Sequence, residues 1–173
     1  MEINDFYKIK CLEPGDINEH LPTLKRYASE CESIVEFGVR KIVSTWALLA
    51  GKPWRMLSVD IKHPFDYGGN LQEVYETSFA ENIYFGFILA SSLEITIPSC
   101  ALLFIDTIHT HAQLSQELKR HAPKVRKYII LHDTVSCKDE LTPAINEFLE
   151  ENKSWKVHEV FENNNGLTIL KNG

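Results

Sequence analysis

Four short apolar runs recur along this chain, and each ends on or next to an acid. They are SIVEFG at 33–38, MLSVDI at 56–61, ALLFID at 101–106 and KYIILHD at 127–133. Near-continuous apolar runs of this length suit strands buried on both faces of a parallel sheet. Helix-spaced stretches lie between them: about 44–50, ending at Gly51; 70–80; AQLSQELKRHA; and DELTPAINEFLEEN, with Ala144, Ile145, Phe148 and Leu149 as an inner face. A further strand falls within IYFGFILA. Ahead of them, residues 16–31 carry Ile17, Leu21, Leu24, Tyr27 and Ala28 at helical spacing, with Asp16 as the expected N-cap and Glu19 completing a capping box.

The tail WKVHEVFENNNGLTILK alternates on both sides of NNNG, the pattern of an antiparallel hairpin. The order of elements therefore predicts an α/β fold, a mainly parallel sheet with helices on both faces and an antiparallel edge. With 173 residues and no repeat or Ser/Gly-rich linker, the chain is expected to form one domain, an arm and helix over 1–31 and a core over 32–173. Trp46, Tyr84, Phe85, Phe87, Phe104 and Tyr128 fall inside elements and are expected in the core. Lys119, Arg120, Lys124, Arg126 and Lys127 read as a solvated face.

Ligands of such sheets bind beyond the carboxyl ends of the strands. Those ends carry Glu36 and Gly38, Asp60, Asp106 with His109, and His132 with Asp133. Packing alone does not load four strand ends with acids and histidines. A net charge of −6 argues against a general nucleic-acid or membrane-surface binder, which needs a basic face. No apolar stretch approaches the ~20 residues that span a bilayer. Four cysteines without C-x-x-C spacing read as reduced thiols, and the N-terminus shows no signal-peptide apolar region, so a cytoplasmic location is expected.

In their order, V-E-F-G-V, S-T-W-A-L-L, S-V-D, L-L-F-I-D-T-I-H-T-H and Y-I-I-L-H-D-T resemble the class I S-adenosylmethionine-dependent methyltransferases. The resemblance is to the small O-methyltransferase branch with the cephalosporin-hydroxylase and macrocin-O-methyltransferase types, and it runs from about residue 16 to the end. It implies a Rossmann-like, doubly wound, seven-stranded sheet and S-adenosyl-L-methionine as cofactor. Glu36 and Gly38 would meet its methionine part, with Ser44 and Thr45 at the helix mouth either capping the helix or donating to its carboxylate. Asp60 would hold the ribose hydroxyls. Ser91 and Ser92 stand where relatives read adenine with an acid.

The resemblance further implies that Asp106, His109 and Asp133 form the chemical end. His109 would act as general base, and Asp106, also next to the cofactor, would share Mg²⁺ with Asp133. Thr134 stands where a third metal ligand is usual, and Ile42 where such loops usually carry glycine. The expected partner is a small hydroxyl substrate such as a sugar or glycoside. Little chain remains to form a lid, so either the substrate lies on an open face or a homodimer completes the pocket. The alternatives are an accessory protein that has lost transfer, or an enzyme that degrades S-adenosylmethionine. His20, in the first helix, has a candidate role in gating.

Overall fold

The computed structural model describes residues 1–173. Seven strands form one sheet: β1 Ser33–Phe37, β2 Arg55–Asp60, β3 Tyr84–Leu89, β4 Cys100–Ile105, β5 Val125–His132, β6 Trp155–Phe161 and β7 Leu167–Asn172. Their spatial order is β3-β2-β1-β4-β5-β7-β6. The first five run parallel, and β7 inserts antiparallel between β5 and β6. Six helices surround it: α1 Ile3–Leu12, α2 Leu21–Ala28, α3 Val43–Ala50, α4 Leu71–Ala80, α5 His111–His121 and α6 Lys138–Glu151.

Alternation along the central strands divides the core in two. Ile34, Leu102, Phe104 and Ile130 face α1 to α4, while Val35, Leu103, Ile105, Ile129 and Leu131 face α5 and α6. Side chains alternate across a strand, so one apolar run feeds both layers. This is the architecture that the order of elements implied, with the four acid-bearing strands side by side as β2, β1, β4 and β5.

Three local expectations change. Residues 1–15 contain a helix, α1, whose Phe6 ring stacks on Trp46 of α3 at 4.2 Å between centroids. Asp5 accepts from the Glu2 amide at its start, a signal present in the sequence but short and charged enough to pass for a loop. Asp16 caps nothing: a 3₁₀ turn over Asn18–His20 precedes α2, which opens at Leu21 with Pro22 in its first turn. Of the expected core aromatics, Trp46, Phe104 and Tyr128 are buried, but Tyr84 is 75% exposed. Tyr84 lies on β3, the sheet's outer strand, whose Phe87 amide is met by the Tyr75 hydroxyl of α4 and by no further strand.

The NNNG turn joins β6 to β7 with Asn164, Asn165 and Gly166 all at positive φ. It also grips the chain ahead of α2. Asn164 accepts from the Glu19 amide and donates to the Gly15 carbonyl; Asn165 donates to the Asp16 carbonyl; Asn163 donates to the Glu19 carboxylate. Residues 15–19 are thereby fixed as a wall beside the carboxyl ends of the strands.

Candidate active site

Strand order reverses between β1 and β4, and a crevice opens there. Gly38, at the end of β1, has φ of 89°, and a Cβ on it would lie 1.9 Å from the Asp106 carbonyl oxygen. Only glycine allows this approach. Two cavities of about 380 Å³ meet at Gly38, Arg40 and Asp106. One runs under the 13–18 wall past Lys41 and Ser44. The other runs past Asp60, Ile61, Ser91, Ser92, Ile108 and Gln113. Each is of small-molecule size.

Glu36 does not reach either cavity, which corrects its expected contact with a ligand. Its residue is 0% exposed, and its carboxylate accepts from Ser44 (2.6 Å), Thr45 (2.8 Å) and Ser58 (2.6 Å). Burial pushes its pKa up to about 7 against the pull of those three hydroxyls. Thr45 is corrected with it, and Ser44 shares its network. Their hydroxyls are spent on Glu36, Thr45 is fully buried, and neither caps α3, whose N-cap is Ile42 in the left-handed region at φ 61°. Ser44 also lines the cavity under the 13–18 wall. The sequence placed the hydroxyls at the helix mouth, but Ser58, which fixes the network, comes from β2.

Asp60 lines its lobe, and its carboxylate accepts from the amides of Val39, Arg40 and Lys62. A carboxylate offers roughly four acceptor sites. Asp60 therefore ties the two loops flanking the lobe together and keeps about one site for a ligand. Arg40 reaches the opposite way, to Asp16 on the wall at 2.8 Å, and so bridges the crevice where the two lobes join. Its role was not legible, because the sequence around Asp16 has the pattern of a helix cap.

At the ends of β4 and β5, His109 Nε2 sits 3.2 Å from Asp106 Oδ1 and 2.8 Å from Asp133 Oδ2. Ionised carboxylates only accept, so Nε2 carries hydrogen, and Nδ1 is the ring nitrogen that bonds no group of the chain. The bonds to Asp106 and then Asp133 raise the His109 pKa to about 10 despite burial. The ring expected as a general base is thereby protonated at neutral pH. His132 is buried, which lowers its pKa, yet Asp106 and Asp133 outweigh burial and lift it to about 10. Its Nδ1 lies 3.1 Å from Asp133 without hydrogen-bond alignment. Both carboxyls are held below their usual range: burial opposes this, but the two imidazoles prevail.

His20 is corrected from gating to anchoring. It is 1% exposed, with Nε2 on the carbonyls of Asn163 and Asn164, and His132 Nε2 meets the same Asn164 carbonyl. Ser91 lines the second lobe, its Oγ accepting from the Leu93 amide, and Ser92 gives its hydroxyl to Glu117. Gln113 and Glu117, both on α5, escaped the sequence reading because they looked like the polar side of an amphipathic helix.

The seven-stranded order, with its inserted antiparallel β7 and a crevice at the β1/β4 switch point, is a fold shared with solved methyltransferases. SAH-bound Podospora anserina methyltransferase PaMTH1 superposes with a TM-score of 0.67 over 99% of this chain and 87% of its own, at 11% identity. The Bacillus cereus O-methyltransferase in complex with SAH gives 0.63 over 99% and 90%, at 12% identity. A Corynebacterium glutamicum protein gives 0.68 over 92% and 83%, at 13% identity. No protein-family model and no curated protein sequence matches the chain. At these identities the likeness is one of fold.

Proposed function

We propose that this chain is an S-adenosyl-L-methionine-dependent methyltransferase that acts on the oxygen of a small hydroxyl substrate such as a sugar or glycoside. The observation that carries this reading is the junction of the two lobes. There Gly38 and Asp106 converge, with Asp60 lining one lobe and the Asp106–His109–Asp133 cluster adjoining the junction. An adenosine in the Asp60 lobe and a methionine under the 13–18 wall would bring the sulfonium methyl next to that cluster. The net charge of −6 supports a small acceptor over nucleic acid or a membrane surface.

Methyl transfer is an in-line displacement. The acceptor oxygen forms a bond to the methyl carbon, the carbon–sulfur bond breaks, and its electron pair stays on the sulfur of S-adenosylhomocysteine. The hydroxyl proton must leave, and His109 Nδ1 takes it when the ring is neutral. Asp106 and Asp133 orient the ring through Nε2–H and stabilise the imidazolium that results, the logic of a carboxylate–histidine pair. The working form is therefore the neutral ring, a minority below its pKa.

Asp106, His109 and Asp133 offer ligand atoms within 4.8 Å of one another, a set that fits a divalent cation with mixed ligands better than Mg²⁺. Mg²⁺ asks for oxygen ligands in an octahedron. Between the two carboxylates stands a nitrogen, His109 Nε2, and Thr134 turns its hydroxyl to Thr168. No step is assigned to a metal.

Calorimetry with S-adenosylhomocysteine and incubation with labelled S-adenosylmethionine and a glycan extract test the reading. Binding and label transfer to the extract are expected. Asp60→Ala is expected to weaken cofactor binding roughly 30- to 150-fold, from loss of a charge-assisted bond and of the loop tie. Absence of cofactor binding would leave an accessory protein, and cofactor turnover without acceptor would make the chain a degrading enzyme.

A further inference from the structure

Parallel strands joined in sequence usually cross over through a helix, and such sheets are covered by helices on both faces. The link from β3 to β4, residues 90–99, contains no helix. It runs as a strap, with Ile97 buried in the second core layer and Ile95 at its margin. On the α5–α6 side the two outer strands are therefore bare. Tyr84 and Ile88 of β3 share that face with Arg55 and Leu57 of β2, and they are 75% and 41% exposed. Gly86 lies between them, opposite Leu57, and leaves a hole: a Cβ built on it would meet only Leu57 Cδ1, at 3.6 Å. Trp54, itself half exposed, closes one end of the strip edge-on to Tyr84 at 6.0 Å. None of these residues lines either lobe of the crevice.

Size points to one segment and not to a second whole surface. The open side chains amount to on the order of 400 Å². A standard interface needs about 800 Å² from each partner. Two strands of six residues make a strip roughly 10 Å by 20 Å, the footprint of one helix of three to four turns. An added strand is opposed by the Tyr75 hydroxyl, which already accepts from the outward Phe87 amide at 3.0 Å.

Charge selects the kind of helix. Arg55 donates to the Ser99 carbonyl at 2.6 Å and Arg120 to the Ile95 carbonyl at 3.1 Å. Both guanidiniums thus stand on the strap, and neither has a carboxylate partner. The strap itself carries a single acid, Glu94. A chain of net charge −6 keeps a cationic margin beside an apolar strip.

We propose that this strip docks an amphipathic helix of a partner protein, apolar on one side and acidic along its flanks, in the place that a β3–β4 crossover helix would fill. A large apolar side chain of that helix enters the hole over Gly86, resting on Leu57 between Tyr84 and Ile88. Its acids meet Arg55 and Arg120 at the margin.

The full chain is titrated with an end-blocked synthetic peptide of about 16 residues, with leucines at i, i+3, i+4 and i+7 and glutamates on both flanks. Nuclear magnetic resonance is expected to show shifts at the amides of Leu57, Gly86 and Ile88. A peptide with lysine in place of each glutamate is expected to bind ~10-fold or more weakly. Gly86→Val fills the hole with a side chain suited to a strand. It is expected to weaken the acidic peptide by at least ~10-fold while melting close to the wild type. Replacing both arginines, Arg55→Gln with Arg120→Gln, is expected to bring the two peptides within about threefold. Salt at about 1 M, where screening acts over ~3 Å, should do the same should those variants misfold. Absence of shifts at these amides, equal affinity of the wild type for both peptides, or undiminished binding by Gly86→Val overturns the proposal. So does a chain that is dimeric by light scattering and becomes monomeric in Tyr84→Lys, because the strip then belongs to a second copy.

Discussion

Glu36 shows how a residue read correctly in type can be misread in partner. Its acid character and its place at a strand end were visible in the sequence. That Ser44, Thr45 and Ser58 would surround it was not, because Ser58 lies 22 residues away on the neighbouring strand. The carboxyl now reads as the tie that docks the opening of α3 against β1 and β2. Glu36→Ala would leave three buried hydroxyls without their acceptor and open a hole, and is expected to cost about 3–5 kcal/mol in denaturant unfolding. The charge adds a pH signature. A carboxyl raised from 4.5 to about 7 keeps its proton in the folded state where the unfolded chain has lost it. Stability therefore falls as pH rises from about 4.5 to 7, by on the order of 2–4 kcal/mol, and is flat above. In Glu36→Gln that slope should vanish, and a steeper fall in the variant than in the wild type would refute the assignment.

At the scale of elements, strands and helices were legible wherever apolar spacing was strong. SIVEF coincides with β1, and the other central strands shift by only a residue or so at their starts. What failed were elements whose identity depends on what covers them. α1 is short and charged, yet its docking on α3 makes it part of the core. β3 looks like an interior strand by composition but has a neighbour on one side only. The loop after β1 likewise does with Arg40 and Ile42 at positive φ what glycines do elsewhere, keeping Gly38 alone where contact forbids a side chain. Gly38→Ala would drive a methyl into the Asp106 carbonyl and force β1 from β4. A loss of about 2–4 kcal/mol of stability is expected from strain and left-handed backbone together, with cofactor binding abolished. Unchanged calorimetric binding in that variant would contradict the close approach of these two strand ends.

Over the whole molecule, the cluster at the ends of β4 and β5 couples stability and activity in opposite senses. His109 and His132 have folded pKa values raised to about 10, so their stabilising contribution is full below about 6.5 and is lost as pH rises toward 10. Asp106 and Asp133 are lowered, so theirs is present above 3.8 and is lost as pH falls below it. With His109 as the proposed base, transfer should instead rise with pH, close to tenfold per unit, until the ring has titrated. Thermal melts and single-turnover rates across pH 6–10 check both trends. His109→Gln should flatten the rate profile and cut turnover by about 10²–10⁴. The sequence named Asp106, His109 and Asp133 as a group. It could not show that the two acids share one nitrogen, which decides whether that ring begins as a base or as a cation.

The clasp of the NNNG turn on residues 15–19 sets a timetable for the chain during its own synthesis. Partners such as Asn164 and Gly15 stand 149 positions apart, so the wall is made first and its fastening nearly last. Until the turn after β6 has emerged and folded back, a nascent chain lacks the bonds that fix the wall beside the crevice. The crevice is walled in one late event, when residues 163–165 reach residues 15–19.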